Sequence, residues 1–144
     1  MLTERMLDFS RPTLTEIVQG ERELVLVFPR QPCFSDAQGD NPMRVPVFAS
    51  RLRVVDGVID LCQVTFPFEP DYWHIVFGSG NLRAHFIPIP FEAEGPVELS
   101  FYLADETLAL VVSGSRAVLA LDGQIGVDEY WPQPNKSLER TRDR

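Results

Sequence analysis

The side chains with the widest chemical reach in this 144-residue chain are its two histidines, His74 and His85. Both fall in one predicted hairpin, with strands over 73–77 and 82–87 and Gly78-Ser79-Gly80-Asn81 as the turn. A two-residue loop at 79–80 or a four-residue loop at 78–81 makes cross-strand partners sum to 159, which sets His74 directly opposite His85. Two imidazoles so placed hold a metal ion when a third ligand arrives from a nearby loop, with Asp71 or Glu69 as candidates. The opposing reading is a pair of solvent-facing histidines. No third ligand is specified by spacing, Arg83 on the same face repels a cation, and a three-residue loop would separate the pair. In that hairpin Trp73, Ile75, Phe77, Leu82, Ala84 and Phe86 fill the core face. Tyr72, His74, Val76, Arg83, His85 and Ile87 present a mixed outer surface suited to binding.

Carboxylates are the next candidates. Glu69 and Asp71 precede the first strand of the hairpin, and Glu92 and Glu94 follow the second after Pro88 and Pro90. Paired carboxylates do general acid and base work when they face one another across a cleft. These lie in polar segments and read as a solvated acidic rim. With Tyr72, Trp73 and Phe91 nearby, that rim could dock a basic protein, the rings supplying area and the carboxylates steering. Ser35-Asp36-Ala37-Gln38-Gly39-Asp40-Asn41 carries oxygen donors but lacks the spacing and closing Glu of an EF-hand. No phosphate loop, GxSxG elbow, HExxH or Cys/His pair is present, so no catalytic residue is assigned and no cofactor is signalled.

Charge narrows the partners. With 21 acidic against 13 basic residues, a formal charge of −8 argues against nucleic acid and anionic membranes, which require clustered Lys and Arg. No stretch approaches the roughly 18 apolar residues of a membrane span. The start, Met1-Leu2-Thr3-Glu4-Arg5, lacks a secretory signal, so a soluble cytoplasmic protein is expected. Cys33 and Cys62 have no CxxC spacing and read as free thiols. A folded region over 1–131 is expected to give way to a flexible tail over 132–144. The tail carries +2, leaving −10 on the rest, and has Leu138 as its single large aliphatic side chain.

Within that tail, Asn135-Lys136-Ser137-Leu138-Glu139-Arg140-Thr141 resembles the translated recombination site of a mobile integron gene cassette. The resemblance covers seven residues and leaves the fold of the body unaddressed. It implies a bacterial accessory gene carried as cargo, a setting that includes toxin and antitoxin components, and a tail shaped by DNA constraint.

The elements that must position these residues are strands. Apolar and polar residues alternate from 13 to 131, punctuated by Gly, Asp, Asn and Pro. Leu14 to Val18 is expected to pair with Glu23 to Phe28, with a short helix as the alternative for the first arm. Residues 29–46 read as a long loop with an edge strand. Asp56-Gly57 predicts a hairpin with Val54 opposite Ile59 and Arg53 opposite Asp60. Val97 to Leu103 pairs with Thr107 to Val112 through Asp105-Glu106. Turns at Gly114-Ser115 and Asp122-Gly123 then separate strands over 116–121 and 124–131. The fold class is therefore all-β: a single antiparallel β-sandwich or partly open barrel of about eight or nine strands in successive hairpins. The leading functional expectation is a non-catalytic binding module for a basic protein, of antitoxin or immunity type. The alternatives are a small-ligand or metal site on the His74/His85 face, possessing enzymatic activity or not, and a homodimer covering the two apolar faces of 107–121.

Overall fold

The structure, a computed structural model, describes residues 5–10, 12–35, 43–78, 80–83, 86–133 and 136–140. Among them are eleven strands: β1 (Arg5–Asp8), β2 (Glu16–Gln19), β3 (Glu23–Ser35), β4 (Met43–Val55), β5 (Val58–Cys62), β6 (Tyr72–Phe77), β7 (Gly80–Arg83), β8 (Phe86–Ile89), β9 (Phe91–Tyr102), β10 (Leu108–Gln133) and β11 (Lys136–Arg140). They form one antiparallel sheet in the order β7-β6-β9-β10-β4-β3-β1-β8, with β2 on β3 and both β5 and β11 on β10. The sheet curls into a half-barrel, the partly open form of the expected class. Its curl has a simple cause. The strands at opposite ends of the order, β7 and β8, are joined from Arg83 to Phe86, a reach of at most about 11 Å for three residues.

Alternation sorts each strand into two faces. Leu24, Leu26 and Phe28 of β3, Leu52 and Val54 of β4, and Ala117 and Leu119 of β10 point into the core. Arg51, Arg53 and Arg116 point out. Register preserves the sorting across strands, with Leu26 opposite Leu52 and Leu52 opposite Leu119. At the centre, Trp73 stacks on its cross-strand neighbour Phe101 with ring centroids 4.8 Å apart, and on Phe28 at 5.6 Å. The Phe9 ring meets both Phe28 and Trp73 edge-on. Because β3 and β6 are four steps apart in the sheet, the Phe28–Trp73 contact spans the barrel and ties its walls together.

The hairpin expected of β2 and β3 is present, with Val18 opposite Val25 and Gly20 donating to the Glu23 carbonyl at 2.8 Å; its first arm is strand, not helix. The β9–β10 hairpin also forms, through residues 103–107. Within the expected loop over 29–46, residues 29–35 and 43–46 are strand instead, and 36–42 lie outside the described residues.

Three hairpin turns predicted from sequence are absent. Asp56-Gly57 does not close a β4–β5 hairpin: both strands lie along the same edge of β10, with Val54 opposite Ala117 and Leu61 opposite Val111. A two-residue type I′ turn needs positive φ at both central positions, and only Asp56 has it, at 54°. Arg53 accordingly bonds Glu23 at 2.9 Å, and Asp60 accepts from the Ser113 hydroxyl at 2.6 Å. The turns expected at Gly114-Ser115 and Asp122-Gly123 are bulges within one 26-residue strand, β10. An extra residue at a bulge bends a strand without ending it. The boundary expected at 131 falls inside β10, and residues 136–140 of the expected tail pair back onto it as β11.

Candidate functional site

The β6–β7 turn falls one residue earlier than the two-residue loop expected at 79–80. Phe77 pairs with Gly80 and Ile75 with Leu82, so partners sum to 157 and His74 sits opposite Arg83. The His74–His85 pairing through a sum of 159 is not the observed register, and His85 itself lies outside the described residues. The cause is that Gly78, at φ 20°, occupies the turn and brings Gly80 into the strand. Among the described residues no three His, Cys, Asp or Glu side chains come together as a metal site. Both cysteines are free, Cys33 buried and Cys62 exposed.

What the fold does assemble is aromatic. Trp73 and Ile75 of β6 are buried, which turns Tyr72, His74 and Val76 to the outer face. On that face β9 sets Tyr102 opposite Tyr72, Ser100 opposite His74 and Glu98 opposite Val76. The Tyr72 and Tyr102 rings are parallel within 8° at a centroid separation of 4.7 Å. His74 leans on both, 5.5 Å from Tyr72 and 5.7 Å from Tyr102. Each ring is half-buried, and Val76 beside them is 42% exposed.

Carboxylates gather at one end of this platform. The Asp71 amide donates to the Tyr102 carbonyl at 2.8 Å, and Glu69 lies two residues earlier. The turn leaving β9 carries Asp105 and Glu106, and it is closed by the Leu103 amide donating to the Thr107 carbonyl at 2.9 Å. All four side chains are exposed. Hydrogen bonds from Thr107, its side chain first and its backbone amide second, hold the Asp105 carboxyl below the usual aspartate range.

Arginine leaves these four without an ion pair among the described residues. Among the described residues the ion pairs are Arg22–Asp56, Arg30–Asp128, Arg51–Asp122, Arg53–Glu23 and Arg116–Glu92. Three of the five involve an arginine or acid of β10, and none involves Glu69, Asp71, Asp105 or Glu106. Among the described residues the ion pairs fall mostly on β3, β4 and β10, and the carboxylates beside the tyrosines, like Glu16, Glu94 and Glu98 elsewhere, take part in none of them.

The acidic rim expected from sequence is thus divided. Glu69 and Asp71 are at the Tyr102 end of β6, whereas Glu92 and Glu94 are in the first half of β9, opposite Val118 and Arg116. That half continues beyond the far end of β6, where Gly78 donates to the Pro96 carbonyl. The six residues of β6 separate the two pairs by roughly 20 Å, and Glu92 is bound by Arg116 at 2.5 Å. Tyr102, Asp105 and Glu106 were missed as site residues. The outward phase of Tyr102 was readable from the alternation of β9, but its neighbour Tyr72 lies 30 positions away and no local signal pairs them.

A separate shallow groove of about 340 Å³ lies outside β2, β3 and β4, lined by Glu16, Val18, Val25, Val27, Arg51 and Asp122. Its charges are partly spent on each other, since Arg51 and Asp122 are 2.8 Å apart. Comparison of the chain with protein-family models, with curated proteins and with solved structures returns no match.

Proposed function

We propose that this protein is a non-catalytic binding module that recognises a basic protein partner through the outer face of β6 and the β9–β10 turn. One observation carries the reading. A three-ring surface formed by Tyr72, His74 and Tyr102 adjoins four exposed carboxylates, Glu69, Asp71, Asp105 and Glu106, that no arginine among the described residues neutralises. Half-buried aromatic rings supply contact area at low entropic cost, and unpaired carboxylates supply long-range attraction that raises the association rate. The arrangement suits a partner that presents cationic side chains on an extended or convex surface. The cassette-like C-terminus supports an accessory role in which an acidic module neutralises a basic protein, as an antitoxin or immunity protein does.

The test is calorimetric titration with a short synthetic peptide rich in Arg and Lys, at low and at physiological ionic strength. Combined replacement of the four carboxylates by Gln or Asn should weaken binding about tenfold, from four exposed pairings at about 0.4 kcal/mol each. Affinity unchanged by that replacement removes this surface from consideration.

A further inference from the structure

We infer that the group this surface takes is the guanidinium of an arginine, seated against the face of Tyr102 that looks toward β10. The inference rests on the proposed function and adds which basic side chain is recognised and where.

The geometry follows from the ring stack. A separation of 4.7 Å equals the spacing between hydrogen-bonded strands, so Tyr72 and Tyr102 stand upright side by side on neighbouring strands. Tyr72 covers one face of Tyr102. His74 belongs to β6 as well and leans in from that same side, at 58° to the Tyr102 ring. The other face of Tyr102 looks across the sheet to β10, where its opposite residue is the half-buried Leu108. Leu108 stands beside that face as its cross-strand partner, and because leucine is shorter than tyrosine it covers only the base of the ring and leaves the outer part as a wall above it. The turn that joins these two residues carries Asp105 and Glu106, so the carboxylates sit at the end of this wall. Thr107 fixes the Asp105 carboxylate by donating its amide at 3.0 Å.

The outer part of a ring standing above a shorter apolar neighbour admits a flat group as the third layer of the stack. Guanidinium is flat, permanently charged, weakly hydrated and forked to meet a carboxylate with two parallel N–H donors. The ammonium of lysine is compact and strongly hydrated, and it gains less from an aromatic face that is half open to water. The chemistry of this face accordingly favours arginine over lysine at equal charge.

Three synthetic peptides, identical except that their basic positions carry arginine, lysine or citrulline, separate this inference from the reading beneath it. The arginine peptide should bind about tenfold tighter than the lysine peptide, and the citrulline peptide should not bind measurably. Tyr102→Leu keeps an apolar side chain but removes the π face, and it should bring the arginine affinity to within about twofold of the lysine affinity. Tyr102→Phe should preserve the preference, and circular dichroism of both variants should match the parent. Equal affinity for the arginine and lysine peptides overturns the inference and leaves the basic-partner function standing. Failure of every peptide to bind overturns both.

Discussion

Two glycines of β10 distinguish a single long strand from the series of short hairpins that the sequence suggested. At Gly114 a Cβ would lie 2.6 Å from Val54 Cγ1 and 2.6 Å from the Val55 carbonyl oxygen, well inside contact distance. At Gly123 a Cβ would meet nothing within 4 Å. Neither glycine has a left-handed φ, so substitution probes space alone. Gly114 lies where β4 ends and β5 begins along the edge of β10; the obstructing atoms are backbone and a packed valine, which yield only by shifting β4. Gly114→Ala should therefore cost about 1–3 kcal/mol, the range for overpacking a well-filled site. Gly123→Ala should be neutral or stabilising by up to about 1 kcal/mol, because alanine restricts the unfolded chain without strain in the folded one. Urea unfolding followed by tryptophan fluorescence gives both values from the shift in midpoint at constant slope. If Asp122-Gly123 were a tight hairpin turn instead, alanine there would be the damaging change. A Gly123→Ala variant as destabilised as Gly114→Ala would refute the continuous strand and its bulges.

Three further outcomes follow from the same structure. Asp128 is buried to 4% exposure and takes a bidentate guanidinium from Arg30. Arg30→Met should thus cost about 3 kcal/mol in chemical denaturation, and adding Asp128→Leu should recover most of it. In a thiol-labelling time course Cys62 should react in the native state while Cys33 waits for unfolding. Burial pushes the Cys33 thiol up, against a smaller opposing effect of Arg5, and hides it from reagent. Thr107→Val should raise the Asp105 carboxyl in an NMR titration. Because the folded-state value is depressed, the stabilisation from this group is full above the ordinary aspartate range, near pH 4, and is lost as pH falls through the depressed value, so the variant should be less stable than the parent at neutral pH and match it in acid.

Strand phase was legible in β6 and β9 but not in β8, where Phe86, expected on the core face, is exposed and Ile87, expected on the outer face, is buried. The alternation that puts Glu98, Ser100 and Tyr102 outward and Val97, Leu99 and Phe101 inward needs only the two-residue period and a buried face. The β2–β3 and β9–β10 hairpins were legible because their arms are close in sequence and their turns short. Partner choice was not. Asp56-Gly57 has the composition of a hairpin turn, yet β10 offers β5 a longer apolar edge, and the bond from the Asp56 amide to the Arg22 carbonyl at 2.7 Å holds the corner in a different turn. The glycines of β10 have the composition of turns, yet serve as bulges, because β4 and β9 pair with it across them. The same limit governs the site. Tyr72 and His74 were identified from their strand, whereas Tyr102, Asp105 and Glu106 joined them only through the non-local pairing of β6 with β9. A one-residue shift in where the turn falls moved the register by two residues, which put Arg83 opposite His74.

Amide chemical-shift mapping with an arginine-rich peptide tests the binding face most directly. The largest changes are predicted at residues 69–76 and 98–108, with those at Tyr102, Leu108 and the intervening turn saturating together. Changes centred instead on the groove of Glu16, Val25 and Arg51, or spread evenly over the acidic surface, would contradict the account.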